Sequence, residues 1–204
     1  MNGLLDWALR EIGFKVKRVN GGVARALRGD TAIGNHLVLL IDLGETYLAD
    51  VGFGDGFFEP VPLVAAQFTQ RGFNFKLEQL PDGYWRLHNH QFGAAPSFDF
   101  REDPADEALF AEKCQYLQTS PDSPFVMALV AQRFTATGYE IQRGKVARQV
   151  TPNEVTTTIM DNEQQLIERL RSTFGIDTPE VADIWPAICA SHNKLFTDSA
   201  TLLR

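Results

Sequence analysis

His36 and Asp50 are the two residues of this chain whose types and spacing could do chemistry together. They stand in the run Gly34-Asn-His-Leu-Val-Leu-Leu-Ile-Asp-Leu-Gly-Glu-Thr-Tyr-Leu-Ala-Asp-Val-Gly-Phe-Gly54. Two apolar stretches separated by Leu43-Gly44-Glu45 read as an antiparallel hairpin. If Asp42 pairs with Thr46, Asp50 lies opposite Val38 and diagonal to His36. Shifting the pairing sum by two sets Asp50 directly opposite His36. Both registers leave the two side chains on one face, and only an odd register separates them. A carboxylate so placed fixes the imidazole tautomer and stabilises the imidazolium, and the imidazole can then deprotonate a thiol or hydroxyl. On pattern alone, the same pair could merely satisfy two buried polar groups across a sheet.

Other chemistry-bearing residues have plainer explanations. Cys114 falls beside Ala111 and Leu117 at helical spacing, as a small apolar residue in a packed face would. Cys189 and His192 lie close together in the tail without an orienting acid. His88 and His90 share one strand face, yet no third ligand accompanies them, so a surface pair is expected and no metal site. Gly52-Phe-Gly-Asp-Gly56 follows a strand as a phosphate-cradling loop would. Pro60 and Pro62, however, prevent a helix from starting promptly after it.

The elements that must position His36 and Asp50 follow from hydrophobic periodicity. Leu4, Leu5, Ala8, Leu9 and Ile12 share a helical face, with Asn2 placed to cap the helix and Gly13 to stop it. Strand patterns then cover 15–19, 23–27, 36–42, 46–53, 73–80 and 84–91, the last two joined by a Pro81-Asp82-Gly83 turn. Asp103-Pro104 opens a helix reaching about Gln115, with proline at its first position. A second β-rich stretch runs from Phe125 to Met160, turning at Arg143-Gly144. Asp161 with Gln164 resembles a capping box before a helix ending near Gly175. The tail from Thr178 is weakly patterned. Strands in runs with helices at the edges favour an α+β class over a doubly wound sheet.

Composition narrows the function classes. The chain has 204 residues, 44% hydrophobic and 22% charged, which is ordinary for a globular protein with a sizeable core. A formal net charge of −7 argues against general nucleic-acid binding, which needs a clustered basic surface. The short basic stretch Arg143, Lys145 and Arg148 reads as a solvated strand face. Two cysteines make no disulfide framework, so a cytoplasmic setting is expected. Asp6, Arg10 and Glu11 break any signal-peptide core, and no uncharged run approaches the ~20 residues of a membrane span.

The run Tyr47-Leu-Ala-Asp-Val-Gly-Phe-Gly54 resembles the aspartate motif of the arylamine N-acetyltransferase family, and His36 sits where that family's catalytic histidine would. Asn2-Gly-Leu-Leu-Asp-Trp-Ala-Leu-Arg-Glu-Ile-Gly-Phe-Lys-Val16 is similar to the helix that follows the family's nucleophile. Thr119-Ser-Pro-Asp-Ser-Pro-Phe125 resembles a later segment, so the likeness extends to about Gly175. It implies a papain-like cysteine-enzyme architecture, a β-barrel plus an α/β lid, with the N-terminal helical bundle mostly missing. The domains expected are a remnant helix at 1–13, the barrel at 14–120, and the lid with its tail at 121–204. It also implies ping-pong transfer of acetyl from acetyl-CoA to an arylamine, hydrazine or N-hydroxyarylamine through a Cys-His-Asp triad, without a metal. His36 would be the base, Asp50 the orienting carboxylate, and Phe53 a wall of the acceptor pocket flanked by Gly52 and Gly54.

The chain departs from the family pattern at its start. The family's nucleophile lies in an Arg-Gly-Gly-x-Cys-Phe-Glu motif just ahead of the Asn-Gly-Leu seen here at Asn2, Gly3 and Leu4. A truncated chain, or one with a misplaced start, is therefore expected, lacking the nucleophile and inactive as given. The competing expectations are a non-catalytic module that binds CoA or an arylamine, and a papain-like hydrolase using another thiol.

Overall fold

The computed structural model describes residues 1–195; the end of the weakly patterned tail, 196–204, lies outside the described residues. The chain divides into two compact units, one spanning Met1–Gln115 and the other beginning at Tyr116.

The first unit opens with helix α1 (Asn2–Glu11), which Gly13 stops at φ +95°. Its buried face is not the purely apolar one that periodicity suggests. Leu5 and Leu9 pack on Val16, Leu39, Ile41 and Ala49, but Leu4 and Ile12 are exposed while Asn2 and Asp6 are buried. Asp6 tolerates burial because Arg10 and Arg18 hold its two oxygens, at 2.5 Å and 3.2 Å.

Strand β1 (Lys15–Val23) runs unbroken through Gly21 and Gly22, where a strand end was expected. Glycine is required there by close approach: a Cβ on Gly21 would lie 2.7 Å from Val38 Cγ2 and 3.0 Å from the His36 carbonyl. Ala24 then turns left-handed at φ 57°, so 25–28 is the short helix α2 (Arg25–Arg28) rather than a strand. The remaining strands of this unit are β2 (His36–Asp42), β3 (Thr46–Ala49), β4 (Val61–Pro62), β5 (Ala66–Gln70), β6 (Phe73–Gln79), β7 (Trp85–His88) and β8 (Ser97–Phe100). With β1 they form one antiparallel sheet in the order β4-β3-β2-β1-β8-β7-β6-β5. β2 is buried on both faces: Leu39 and Ile41 lie under α1, while His36, Val38 and Leu40 point the other way.

Helix α3 (Glu107–Thr119) begins later than proline placement suggests. The peptide N–H of Ala105 bonds to the Arg18 carbonyl and that of Asp106 to Asn20 Oδ1, so this segment docks on β1 instead of coiling. Asp106 serves as cap, accepting from Ala108 and Leu109 at 3.0 Å each.

The second unit holds the one-turn helix α4 (Pro124–Met127) and a four-stranded meander. Its strands are β9 (Val130–Phe134), β10 (Tyr139–Arg143), β11 (Val146–Val150) and β12 (Val155–Ile159). Helix α5 (Glu163–Arg169) is capped one residue later than expected, by Asn162 accepting from Gln165, and passes through a π-turn to Gly175. The tail is better ordered than its pattern suggests, because 181–195 forms helix α6 (Val181–Leu195). Val181 and Ile188 from α6 join Leu166, Leu170, Ala147 and Met160 in the core of this unit. Pro186 inside α6 obscured the helical spacing of those residues.

Candidate active site

The hairpin places His36 and Asp50 together. Asp42 pairs with Thr46, Ile41 with Tyr47, Leu40 with Leu48 and Leu39 with Ala49. Extending that register one step sets Asp50 opposite Val38 and diagonal to His36, on the same face. The chain leaves the sheet at Asp50, which frees its carboxylate to turn toward the imidazole. His36 Nε2 and Asp50 Oδ2 are 2.5 Å apart, with the side chains 8% and 1% exposed.

The other carboxylate oxygen is used as well. Asp50 Oδ1 accepts the peptide N–H of Gly52 at 2.7 Å and of Phe53 at 2.8 Å, which fixes the carboxylate plane. Burial works to raise this carboxyl's pKa, but the His36 charge, its hydrogen bond and the two peptide N–H groups outweigh burial and hold it below the ordinary aspartate value. An ionised Asp50 accepts, so the proton of a neutral His36 sits on Nε2 and the lone pair on Nδ1. Among the described residues no group hydrogen-bonds Nδ1. That nitrogen can take a proton from a thiol, hydroxyl or amine.

Aromatic rings shape the surroundings of the imidazole. Phe98 lies 5.0 Å from the His36 ring centroid and Phe53 5.9 Å, and the two phenyl rings meet edge-on at 5.0 Å. Gly54 has φ +95°, which reverses the chain after Phe53. Gly52 faces Asn2: a Cβ there would lie 3.1 Å from the Asn2 amide.

Asn2 and Phe98 were not evident from the sequence as site residues. Asn2, read as a helix cap, is instead inside α1, and its amide bridges both sides of the site. Nδ2 donates to the Leu37 carbonyl at 2.5 Å and Oδ1 accepts from Val51 N–H at 2.8 Å. The first turn of α1 is thereby pinned beside the His36–Asp50 pair. Phe98 had a readable signal, the Ser97-Phe-Asp-Phe100 alternation of a strand with one apolar face.

The remaining candidates lie elsewhere. Cys114 is exposed on α3 and Cys189 is half-buried on α6. His88 and His90 are not a surface pair: His90 is buried past the end of β7, and His88 bonds Glu78 at 2.6 Å. Among the described residues no helix is long and apolar enough to cross a membrane.

The site is thus a buried His–Asp pair beside aromatic rings, on an antiparallel sheet of an α+β protein with a helix pinned at its edge. A family model described as N-acetyltransferase matches residues 1–182, and the chain belongs to the arylamine N-acetyltransferase family. It is 27% identical over 188 residues to an arylamine N-acetyltransferase of Mycolicibacterium smegmatis, covering 89% of this chain and 68% of that relative. The solved arylamine N-acetyl transferase structure from M. smegmatis superposes with a TM-score of 0.78 at 26% identity, over 93% of this chain and 72% of that one. The Mycobacterium marinum arylamine N-acetyltransferase, solved in complex with CoA, has the same fold, with a TM-score of 0.78 at 21% identity, over 95% and 73% of the two chains. The fold is thus the papain-like α+β architecture, its eight-stranded sheet a curled half-barrel.

Proposed function

We propose that His36 and Asp50 are the base and orienting carboxylate of an arylamine N-acetyltransferase site that takes acetyl from acetyl-CoA and gives it to an arylamine, hydrazine or N-hydroxyarylamine. The observation that carries this reading is the 2.5 Å bond between His36 Nε2 and Asp50 Oδ2, which leaves Nδ1 to act as base. In the first half-reaction a cysteine thiol gives its proton to Nδ1 and its sulfur attacks the acetyl carbonyl. The CoA thiolate then leaves with that proton. In the second, the amine attacks the acetyl-thioester, Nδ1 takes the amine proton, and the cysteine leaves as thiolate.

The nucleophile in this reading is the cysteine of an Arg-Gly-Gly-x-Cys-Phe-Glu motif encoded ahead of Met1. Two observations support that position. Asn2 binds the backbone of Leu37 and Val51, the neighbours of His36 and Asp50, so the chain that leads into α1 approaches the pair. The chain also enters α1 by its N-terminal end, the end whose dipole favours a thiolate nearby. Phe53 and Phe98 would flank the acceptor's aromatic ring, with Gly52 and Gly54 admitting the ligand close to the backbone.

The test is expression of the reading frame that includes the codons ahead of Met1, alongside residues 1–204 alone. The longer chain should form an acetyl-thioester with acetyl-CoA and acetylate an arylamine, with loss on Cys→Ser, His36→Gln or Asp50→Asn. Residues 1–204 should do neither. A longer chain that binds CoA without turnover would favour a binding module. Enzymatic rates from residues 1–204, abolished by Cys114→Ser or Cys189→Ser, would move the nucleophile to that cysteine.

A further inference from the structure

A second buried histidine and aspartate lie on the far side of the loop that follows Asp50, and the proposed chemistry does not use them. Asp55 is 1% exposed and His90 5%. Asp55 Oδ2 accepts the Ala94 peptide N–H at 2.7 Å, and its Oδ1 accepts from Asn89 Nδ2 at 3.2 Å. His90 Nε2 donates to the backbone carbonyl of Asp55 at 3.0 Å, and the Phe92 peptide N–H donates to His90 Nδ1 at 3.2 Å. The ring is wedged between Phe73 and Phe75, at 4.6 Å and 5.7 Å. Both nitrogens of this imidazole are committed to backbone groups. It cannot serve a ligand as His36 Nδ1 can.

The commitments join two segments that share no strand pairing, the loop at 51–56 and the turn at 89–96. Their effect reaches His36 through one close contact. A Cβ on Gly56 would lie 2.9 Å from Phe53 Cδ1, so the phenyl ring rests directly on the Gly56 backbone. With Gly54 reversing the chain between them, a shift of Asp55 and Gly56 must move Phe53. Phe53 in turn stands 5.9 Å from the imidazole it helps enclose. Burial pushes the Asp55 carboxyl up and the His90 imidazole down. An apolar pair would avoid that desolvation, but it could not pin the backbone at Asp55, Phe92 and Ala94.

We propose that Asp55 and His90 are positioning residues that clamp the 89–96 turn onto the 51–56 loop, and thereby hold Phe53 against His36 and set the width of the aromatic acceptor site. The enzymatic half of this inference rests on the reading of His36 as the catalytic base; the structural half stands without it.

Long-range 1H–15N spectra of the labelled 204-residue chain, with ring-to-ring nuclear Overhauser contacts, test the structural half. The wild type should show a Phe53–His36 ring contact and a neutral His90 with its proton on Nε2. Asp55→Ala and His90→Leu should lose the contact, and His90→Gln, which keeps a donor for the Asp55 carbonyl, should retain it. Retention of the contact in folded Asp55→Ala and His90→Leu would overturn the proposal, as would its loss in all three variants alike. If Asp55→Ala fails to fold, the comparison of His90→Leu with His90→Gln decides.

The enzymatic half uses the longer chain that carries the nucleophile. His90→Leu should raise KM for the arylamine by about 10-fold with a smaller change in thioester formation, and His90→Gln should restore it; misplacement by about 1 Å can cost on the order of 10²-fold. Equal loss of both half-reactions would mark a merely structural role and refute the positioning of the acceptor. An inactive longer chain would sink the proposed function while leaving the spectroscopic result to decide the clamp.

Discussion

Replacing Asp50 by asparagine tests the heart of the site with little change of shape. The amide oxygen can still accept from Gly52 and Phe53 at the 2.7 Å and 2.8 Å positions, so the loop keeps its anchor. The amide NH2 then takes the place of Oδ2, 2.5 Å from His36 Nε2. Two donors cannot face each other at that distance. His36 must present a lone pair on Nε2, and its proton moves to Nδ1, the nitrogen proposed as the base. In a His–Asp site the wrong tautomer costs about 10⁴-fold in turnover, or about 5 kcal/mol of transition-state stabilisation. Folding should respond far less, because losing a charge-assisted bond worth about 1.5–3 kcal/mol is offset by no longer burying a carboxylate. Imidazole 15N shifts of the 204-residue chain read the tautomer directly, and acetyl transfer by the longer chain reads the consequence. A wild type carrying its proton on Nδ1 would refute the reasoning. So would Asp50→Asn that switches the tautomer yet loses less than about tenfold in rate, against the expected ~10⁴.

Three further outcomes are expected. Asp99 is fully buried, bound by Arg86 through two 2.7 Å bonds and by Arg25 at 3.3 Å; Arg25 keeps Asp30 and Asp82, but Asp99→Ala takes both of these bonds from Arg86 and should cost about 3 kcal/mol in urea unfolding. A cost under about 1 kcal/mol would mean that Arg86 finds water or another partner. Gly21→Ala drives a methyl into Val38 and the His36 carbonyl and should cost about 1–3 kcal/mol, with displacement of the His36 ring signals; unchanged stability and spectra would show that β1 and β2 part easily there. The folded pKa of His90 is depressed, so its stability contribution is present above the unfolded value of about 6.5 and is lost as pH falls through the folded value. His90→Gln should therefore flatten the stability profile just below that pH relative to wild type, since Asp55, which faces the ring, is common to both. Parallel profiles would refute the assignment.

The hairpin carrying His36 and Asp50 was legible because its constraints are local and periodic. Two apolar runs around Leu43-Gly44-Glu45 admit few registers, and a period of two ties each register to a face. The observed pairing of Asp42 with Thr46 is one of the two that keep both residues together. Helix ends were harder to read, since tertiary bonds decided them. Asp103-Pro104 looks like a helix start, but Arg18 and Asn20 on β1 capture the backbone at Ala105 and Asp106 and delay the first turn. The strand expected at 23–27 fails for a similar reason: β1 absorbs Gly21 and Gly22 under pressure from Val38 and Ile33, and Ala24 then breaks the strand.

What no periodicity encodes is the set of side-chain-to-backbone bonds that hold the loop after Asp50. Asn2 grips Val51, Asp55 accepts from Ala94 in the 89–96 turn, His90 of that turn donates to the Asp55 carbonyl, and Gln70 accepts from Phe58 and Glu59. From sequence Asn2 reads as a cap and His90 as half of a surface pair, while Asp55 falls in a glycine-rich loop and Gln70 outside every expected strand. The sheet brings the imidazole and carboxylate onto one face, but it stops at Ala49, one residue before the carboxylate begins its work. From there the geometry of the site depends on anchors from α1, β5 and the 89–96 turn. A substitution at any of these anchors should therefore disturb Phe53 and Asp50 while leaving the strand register intact. Loss of register in an anchor variant would mean that the loop and the sheet form one cooperative unit.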